Sequence, residues 1–159
     1  MHVSTTRFGC FDVADDRVIE FPRGLLGFPT QRRFVLLEPG DDACFFWLQS
    51  CDDPSLAFVV TDPMFWVHDY TLMLTQEQMH ALGLPTLADA HLFVIVNKID
   101  NALTGNLLGP LVVNTVAKQA MQVAADRKWS TRHPLVRLAS TTTTRKAGAL
   151  SRGSQRGRL

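Results

Sequence analysis

The chain has 159 residues, 46% of them hydrophobic and 19% charged, with a formal net charge of +1. That size and apolar content suit one compact domain around a single core and argue against a multidomain protein. The charge is uneven: residues 139–159 hold five basic residues (Arg145, Lys146, Arg152, Arg156, Arg158) and no acid, while residues 1–138 carry 11 basic and 15 acidic residues, a net of −4. An acidic body is a poor surface for a phosphate backbone. Any nucleic-acid contact would fall to the Thr-, Ser-, Gly- and Arg-rich tail. The sequence therefore predicts a folded domain over 1–138 and a basic, disordered tail over 139–159.

No uncharged apolar run reaches the roughly eighteen residues of a membrane span, and the first residues lack a basic segment followed by an apolar one. The expected location is the cytoplasm, and the expected state is a monomer. Cys10, Cys44 and Cys51 form an odd set without CxxC spacing, which argues against a disulfide framework or a zinc site.

In chain order, turn signals recur every ten or so residues: Asp15-Asp16, Pro22, Pro29, Pro39-Gly40-Asp41-Asp42, Asp52-Asp53-Pro54, Asp62-Pro63. Between them lie short runs rich in aromatic and β-branched residues. These predict strands at 3–8, 17–21, 33–38, 44–49, 55–61, 91–97 and 109–114, hence a sandwich or small barrel. One helix is predicted at about 76–82. Thr75 and Gln78 have capping-box spacing before it, and Gly83 and Pro85 stop it. Met79 and Leu82 then share a face, with which the helix can cover an open end of a barrel. Residues 115–128 (TVAKQAMQVAADRK) favour helix by propensity, but 109–114 and 119–125 can also pair as a hairpin turning near Thr115 to Lys118.

Most motifs that could carry chemistry fail on their context. Asn97-Lys98-Ile99-Asp100 follows an apolar run, as a guanine-reading NKxD does, but no GxxxxGK[ST] phosphate loop exists. His2, His68, His80, His91 and His133 are dispersed, Ser50 lacks a GxSxG elbow, and the paired aspartates read as turn acids. Neither an enzyme, a metal site nor a cofactor is predicted. What stands out is Met64-Phe65-Trp66-Val67, four large apolar residues after the Asp62-Pro63 turn and bounded by His68-Asp69-Tyr70. Such a cluster marks a protein interface or a loop tucked over a barrel end.

Ordered blocks from about Phe8 to Leu135 resemble the flagellar assembly factor FliW family. They are Phe21-Pro22-Arg23-Gly24-Leu25-Leu26-Gly27-Phe28, Arg33 to Leu37, Phe46 to Ser50, Asp53 to Val60, Asp62-Pro63 and Asp69-Tyr70. Leu103-Thr104-Gly105-Asn106-Leu107-Leu108-Gly109-Pro110 follows, running into Val112 to Thr115, with Gln122 and Arg132 to Leu135 downstream. The chain departs from the family pattern at Leu26, where G-L-P-G-F is usual, and at Gly105 and Gly109, where L-T-A-N-L-x-A-P is usual. The basic stretch after Asn114-Thr115 is thinned to Lys118.

The resemblance implies a mainly β fold, a small antiparallel pseudo-barrel capped by a short helix, in which 109–114 and 119–125 form a hairpin. It also implies a non-enzymatic protein that binds flagellin in the cytoplasm and, when freed, binds and antagonises the translational repressor CsrA. Flagellin and CsrA are thus the expected partners, with no membrane and no direct nucleic acid. The expected partner-binding residues are Asp62, Pro63, Phe65, Asp69 and Tyr70 in one loop, and Asn106, Pro110 and Asn114 around a second turn. Amides and aromatics at strand ends can meet a partner's backbone and pockets. For Asn106, Pro110 and Asn114 the competing expectation is that they only shape the hairpin. The alternative function is a small RNA-binding barrel using the basic tail.

Overall fold

A computed structural model describes residues 1–38 and 44–138. The tail 139–159 and the expected turn at residues 39–42 lie outside the described residues. The strands are β1 (His2–Thr5), β2 (Gly9–Asp12), β3 (Ile19–Glu20), β4 (Arg33–Leu37), β5 (Phe45–Ser50), β6 (Ala57–Thr61), β7 (Ala90–Ile99), β8 (Ala102–Gly105), β9 (Leu111–Asn114), β10 (Gln119–Gln122) and β11 (His133–Arg137). The helix α1 spans Gln76–Leu82, and single 3-10 turns stand at Asp15–Arg17, Pro63–Phe65 and Leu87–Asp89.

β1 and β2 form a separate hairpin, while the other strands form one nine-stranded sheet in the order β11-β8-β7-β6-β5-β4-β3-β10-β9. An additional β7–β9 pairing closes this sheet into a ring, with β8 and β11 as a wing outside it. All ladders are antiparallel except the single parallel contact of Gln119 with Glu20. Strand alternation decides what lies inside. Phe34, Leu48, Val60, Phe93, Leu111, Val113 and Ala120 share the main core with Ile19, Phe21 and Leu25. Their sequence neighbours face the other way and build separate outer clusters. Val35 packs with Val3 and Val13 of the β1–β2 region. Val94 packs with Val67, Tyr70 and Leu107. Val112 and Met121 pack with Leu72, Leu82 and Leu84.

The helix forms as its caps dictate. Thr75 Oγ1 accepts from the Gln78 N–H at 3.0 Å, and Gln78 Oε1 accepts from the Thr75 N–H at 2.9 Å. Gly83 ends the helix at φ +68°, the left-handed conformation glycine adopts without strain. Met79 and Leu82 do share the packed face, which lies on the β9–β10 hairpin, opposite the side that lines the barrel.

Several expectations are corrected. The predicted strand 3–8 stops at Thr5, whose Oγ1 accepts from the Phe8 N–H and donates to Gly9 O, turning the chain into β2. Helical propensity over 115–128 is overridden. β9 and β10 pair from Gln119↔Asn114 to Gln122↔Leu111, with Lys118 at φ +56° in the turn. The pairing buries Ala120, Met121 and Val123 on two sides at once, which a single amphipathic helix would not do. Residues Asn97 to Ile99 belong to β7 itself, and Asp100, at φ 54°, is in the tight turn to β8.

Asn114 joins the helix to this hairpin. Its Nδ2 donates to Leu82 O at 2.8 Å and Gly83 O at 3.3 Å, and its Oδ1 accepts from the N–H groups of Val116 and Ala117. Asn114→Ala should therefore lower unfolding free energy by about 2 kcal/mol, since buried groups at both elements lose their partner. Urea denaturation of the two proteins checks this.

Candidate functional site

Asp62 follows β6 directly and caps the Pro63–Phe65 turn, its Oδ1 accepting from the Met64 N–H at 2.8 Å. Its Oδ2 stands 3.5 Å from His91 Nε2. The His91 ring in turn stacks on Phe93 with centroids 4.5 Å apart. Pro63 is buried beneath the turn, which holds Phe65 out at 60% exposure beside the half-exposed Met64. Trp66 lies edge-on to Phe65 at 5.2 Å and donates from Nε1 to Thr61 Oγ1 at 3.0 Å. Thr61 Oγ1 itself donates to Cys44 O. Asp69 is exposed at the end of the segment. The segment thus divides into an outward part, Asp62, Met64, Phe65 and Asp69, and a buried anchor.

Tyr70 is that anchor. It is 3% exposed, its ring meets Trp129 edge-on at 4.9 Å, and its hydroxyl donates to Leu107 O at 2.6 Å. Leu107 belongs to the loop between β8 and β9, so the two regions expected to meet partners are bonded to each other. In that loop Asn106 Oδ1 accepts from the Gly109 N–H at 3.0 Å, and buried Pro110 accepts through its carbonyl from the Val123 N–H at 3.0 Å. Asn114 is 7% exposed, with its amide committed to the internal bonds already described. The expected residues therefore fall into a surface group and a group of internal struts comprising Pro63, Tyr70, Pro110 and Asn114, with Asn106 between them.

The other side of this loop faces an open groove of about 610 Å³ that residue-type reasoning did not single out. Leu108, Gly109, Met121 and Val123 line it, and the reversal Leu25–Phe28 overhangs it. That reversal is held by paired bonds between Leu25 and Phe28, with Leu26 and Gly27 at its tip and Gly27 at φ +88°. Gly24 approaches so closely that a Cβ would lie 2.5 Å from Phe28 O. Leu26 is 84% exposed. Its N–H donates to Gln122 Oε1 at 2.8 Å, while Gln122 Nε2 donates to Gly109 O at 2.9 Å. The departures at Leu26 and Gly109 meet here. A proline at 26 would have no N–H to give, and a Cβ at 109 would crowd the Gln122 and Asn106 amides at 3.1 Å. The signal was present in the sequence: the blocks at 21–28 and 103–110 and the isolated Gln122 carry the family resemblance, and all three line this groove.

Among the described residues no three of His, Cys, Asp and Glu come together in a way that could hold a metal ion. Cys10 and Cys51 are free thiols, and burial pushes the Cys51 thiol up, with the Asp52 carboxylate adding to the shift. Arg33 is raised by its hydrogen bonds and charge pairing with Asp52, a bridge from the start of β4 to the β5–β6 turn. No helix among the described residues is long and apolar enough to cross a membrane.

Such a molecule is a small closed β-barrel with exposed apolar side chains held on well-anchored turns. Comparison with known proteins assigns it further. The FliW protein family model matches residues 2–135. The chain is 41% identical over 137 residues to the flagellar assembly factor FliW of Geotalea uraniireducens, covering 84% of this chain and 83% of that one. It is 41% identical over 138 residues to that of Bdellovibrio bacteriovorus, covering 85% and 79%. A crystal structure of the flagellar assembly factor FliW superposes with a TM-score of 0.78 at 28% identity, covering 86% of this chain and 97% of that one. The chain belongs to the FliW family.

The Tyr70 strut yields a prediction with a pH signature. Burial pushes the phenol above its ordinary value of 10.0 in the folded chain. The unfolded phenol therefore loses its proton first, so the strut's contribution is fully present below about pH 10. Above that pH it should fall by about 1.4 kcal/mol per pH unit. Tyr70→Phe should lower stability by roughly 1–3 kcal/mol at neutral pH, leaving Leu107 O unpaired. In urea titrations at rising pH, the difference between the two proteins should shrink above pH 10.

Proposed function

We propose that the chain is a non-enzymatic flagellar assembly factor that binds flagellin in the cytoplasm and, when freed by flagellin export, binds and antagonises the repressor CsrA. The family match over residues 2–135 is the observation that carries the reading. The geometry supports it in kind. Phe65 and Met64 are apolar groups displayed by a turn fixed from below by Asp62, Pro63 and Trp66, so little side-chain and backbone freedom remains to be lost on binding. Asp62 and Asp69 flank them, and this acidic rim suits a basic RNA-binding repressor, where complementary charge raises association rate and narrows partner choice.

The regulatory content is linkage. If the two complexes exclude each other, free flagellin sets the population available to CsrA without any chemistry, and the ratio of the two affinities sets the switching point. No cofactor or metal takes part in this reading.

Calorimetric titration with the flagellin and the CsrA of the same organism, singly and in competition, tests it. The expected result is saturable binding to each, with one displacing the other; a folded protein that binds neither would overturn the reading. Phe65→Ser changes an exposed side chain. It should leave the melting temperature unchanged and weaken CsrA binding about tenfold or more, as loss of an aromatic anchor does.

A further inference from the structure

Resting on the flagellin reading, we propose that the groove under Leu26 seats an apolar side chain of a flagellin segment that carries a carboxylate opposite Arg23. Four observations lead there. The groove, at about 610 Å³, falls in the range of sites that enclose a small group rather than a domain face. Among the described residues its lining is apolar or amide apart from the Thr131 hydroxyl and Arg23, the one charged side chain there. Among the described residues no carboxylate pairs with Arg23, whereas Arg33 is paired with Asp52. The exposed Leu26 side chain projects at the rim, where it can close over an incoming side chain.

The chemistry of the occupant follows from these features. An apolar group displaces water from Leu108, Met121 and Val123, and a neighbouring carboxylate meets a guanidinium that offers planar, bidentate donors. A second copy of this chain is a poorer fit. A stable dimer buries about 800 Å² on each partner, far more than one short reversal over one groove provides. The rim is also set in place beforehand. Gln122 holds Leu26 through its Oε1 and the groove floor through its Nε2, so the gap between the reversal and the β9–β10 hairpin does not have to be formed on binding.

The test is calorimetric titration of same-organism flagellin into the full chain and into Leu26→Ser, Arg23→Glu and Arg23→Lys. Residues 23 and 26 are exposed, so melting temperatures should match. Leu26→Ser keeps the N–H that bonds Gln122. The expected result is a loss of about tenfold or more in flagellin affinity for Leu26→Ser and Arg23→Glu, with Arg23→Lys retaining most of it. Flagellin binding that is intact in both groove variants would overturn the seat while leaving the function standing. No flagellin binding to the unmodified chain would overturn both. If the groove variants lost CsrA affinity alone, or lost a concentration-dependent dimer seen by sedimentation, the occupant would be CsrA or a second copy, and the proposal would fail.

Discussion

The architecture depends on β7 pairing with three strands. Along one edge its middle residues, Val94 to Val96, pair with β6. Its first residues, Ala90 to Phe93, pair with β9, and its last, Val96 to Ile99, pair with β8. The β9 ladder is what turns an open sheet into a ring and encloses Phe34, Val60 and Phe93. Because β8 and β9 both pair with β7, the chain between them must leave the ladder at Gly105 and return at Leu111. The loop that carries Asn106, Leu107 and Pro110 is a consequence of that detour, and so is the groove on its outer side.

Closing the ring leaves apolar side chains on the outer walls, since alternation sends every second residue of each strand outward. Three segments cover them: the β1–β2 region over Val35, the helix and its flanks over Val112 and Met121, and the 66–70 segment over Val94. Each cover is fixed by polar bonds as well as by packing. Asn114 ties the second and Tyr70 the third. The same Tyr70 bond reaches Leu107 in the loop whose Leu108 and Gly109 line the groove, so the 66–70 segment and the groove loop are tied together there.

What the sequence made legible follows the strength of the local signal. Phe34 to Leu37, Phe46 to Ser50 and Phe58 to Thr61 are aromatic and β-branched runs between turns, and they are strands. The helix was legible because Thr75, Gln78 and Gly83 encode both of its ends. β8 and β11 were not. Each is short, Gly105 and Pro134 dilute their strand signal, and the register slips between Pro134 and Val136. The 115–128 conflict could not be resolved locally, because Ala120 and Met121 earn their burial from tertiary pairing. At the candidate site, Phe65 is displayed as an interface reading requires. Tyr70 and Asn114 look equally suited to an interface by residue type, and only the positions of Leu107 and Leu82 show where their polar groups are directed. Leu26 was invisible as a site residue because the groove it overhangs is assembled from segments about 80 and 96 residues away in the chain.

The wing beyond the ring also bears on how one copy of this chain could meet another. A sheet that ends in an outermost strand offers a row of unpaired backbone groups on which another chain could polymerise. Here that strand is β11, which among the described residues pairs only with β8. Pro134 removes a backbone N–H from it, and the slip before Val136 breaks its regular spacing. A barrel that leaves one strand pair outside its closure is thereby guarded against growing into a fibre.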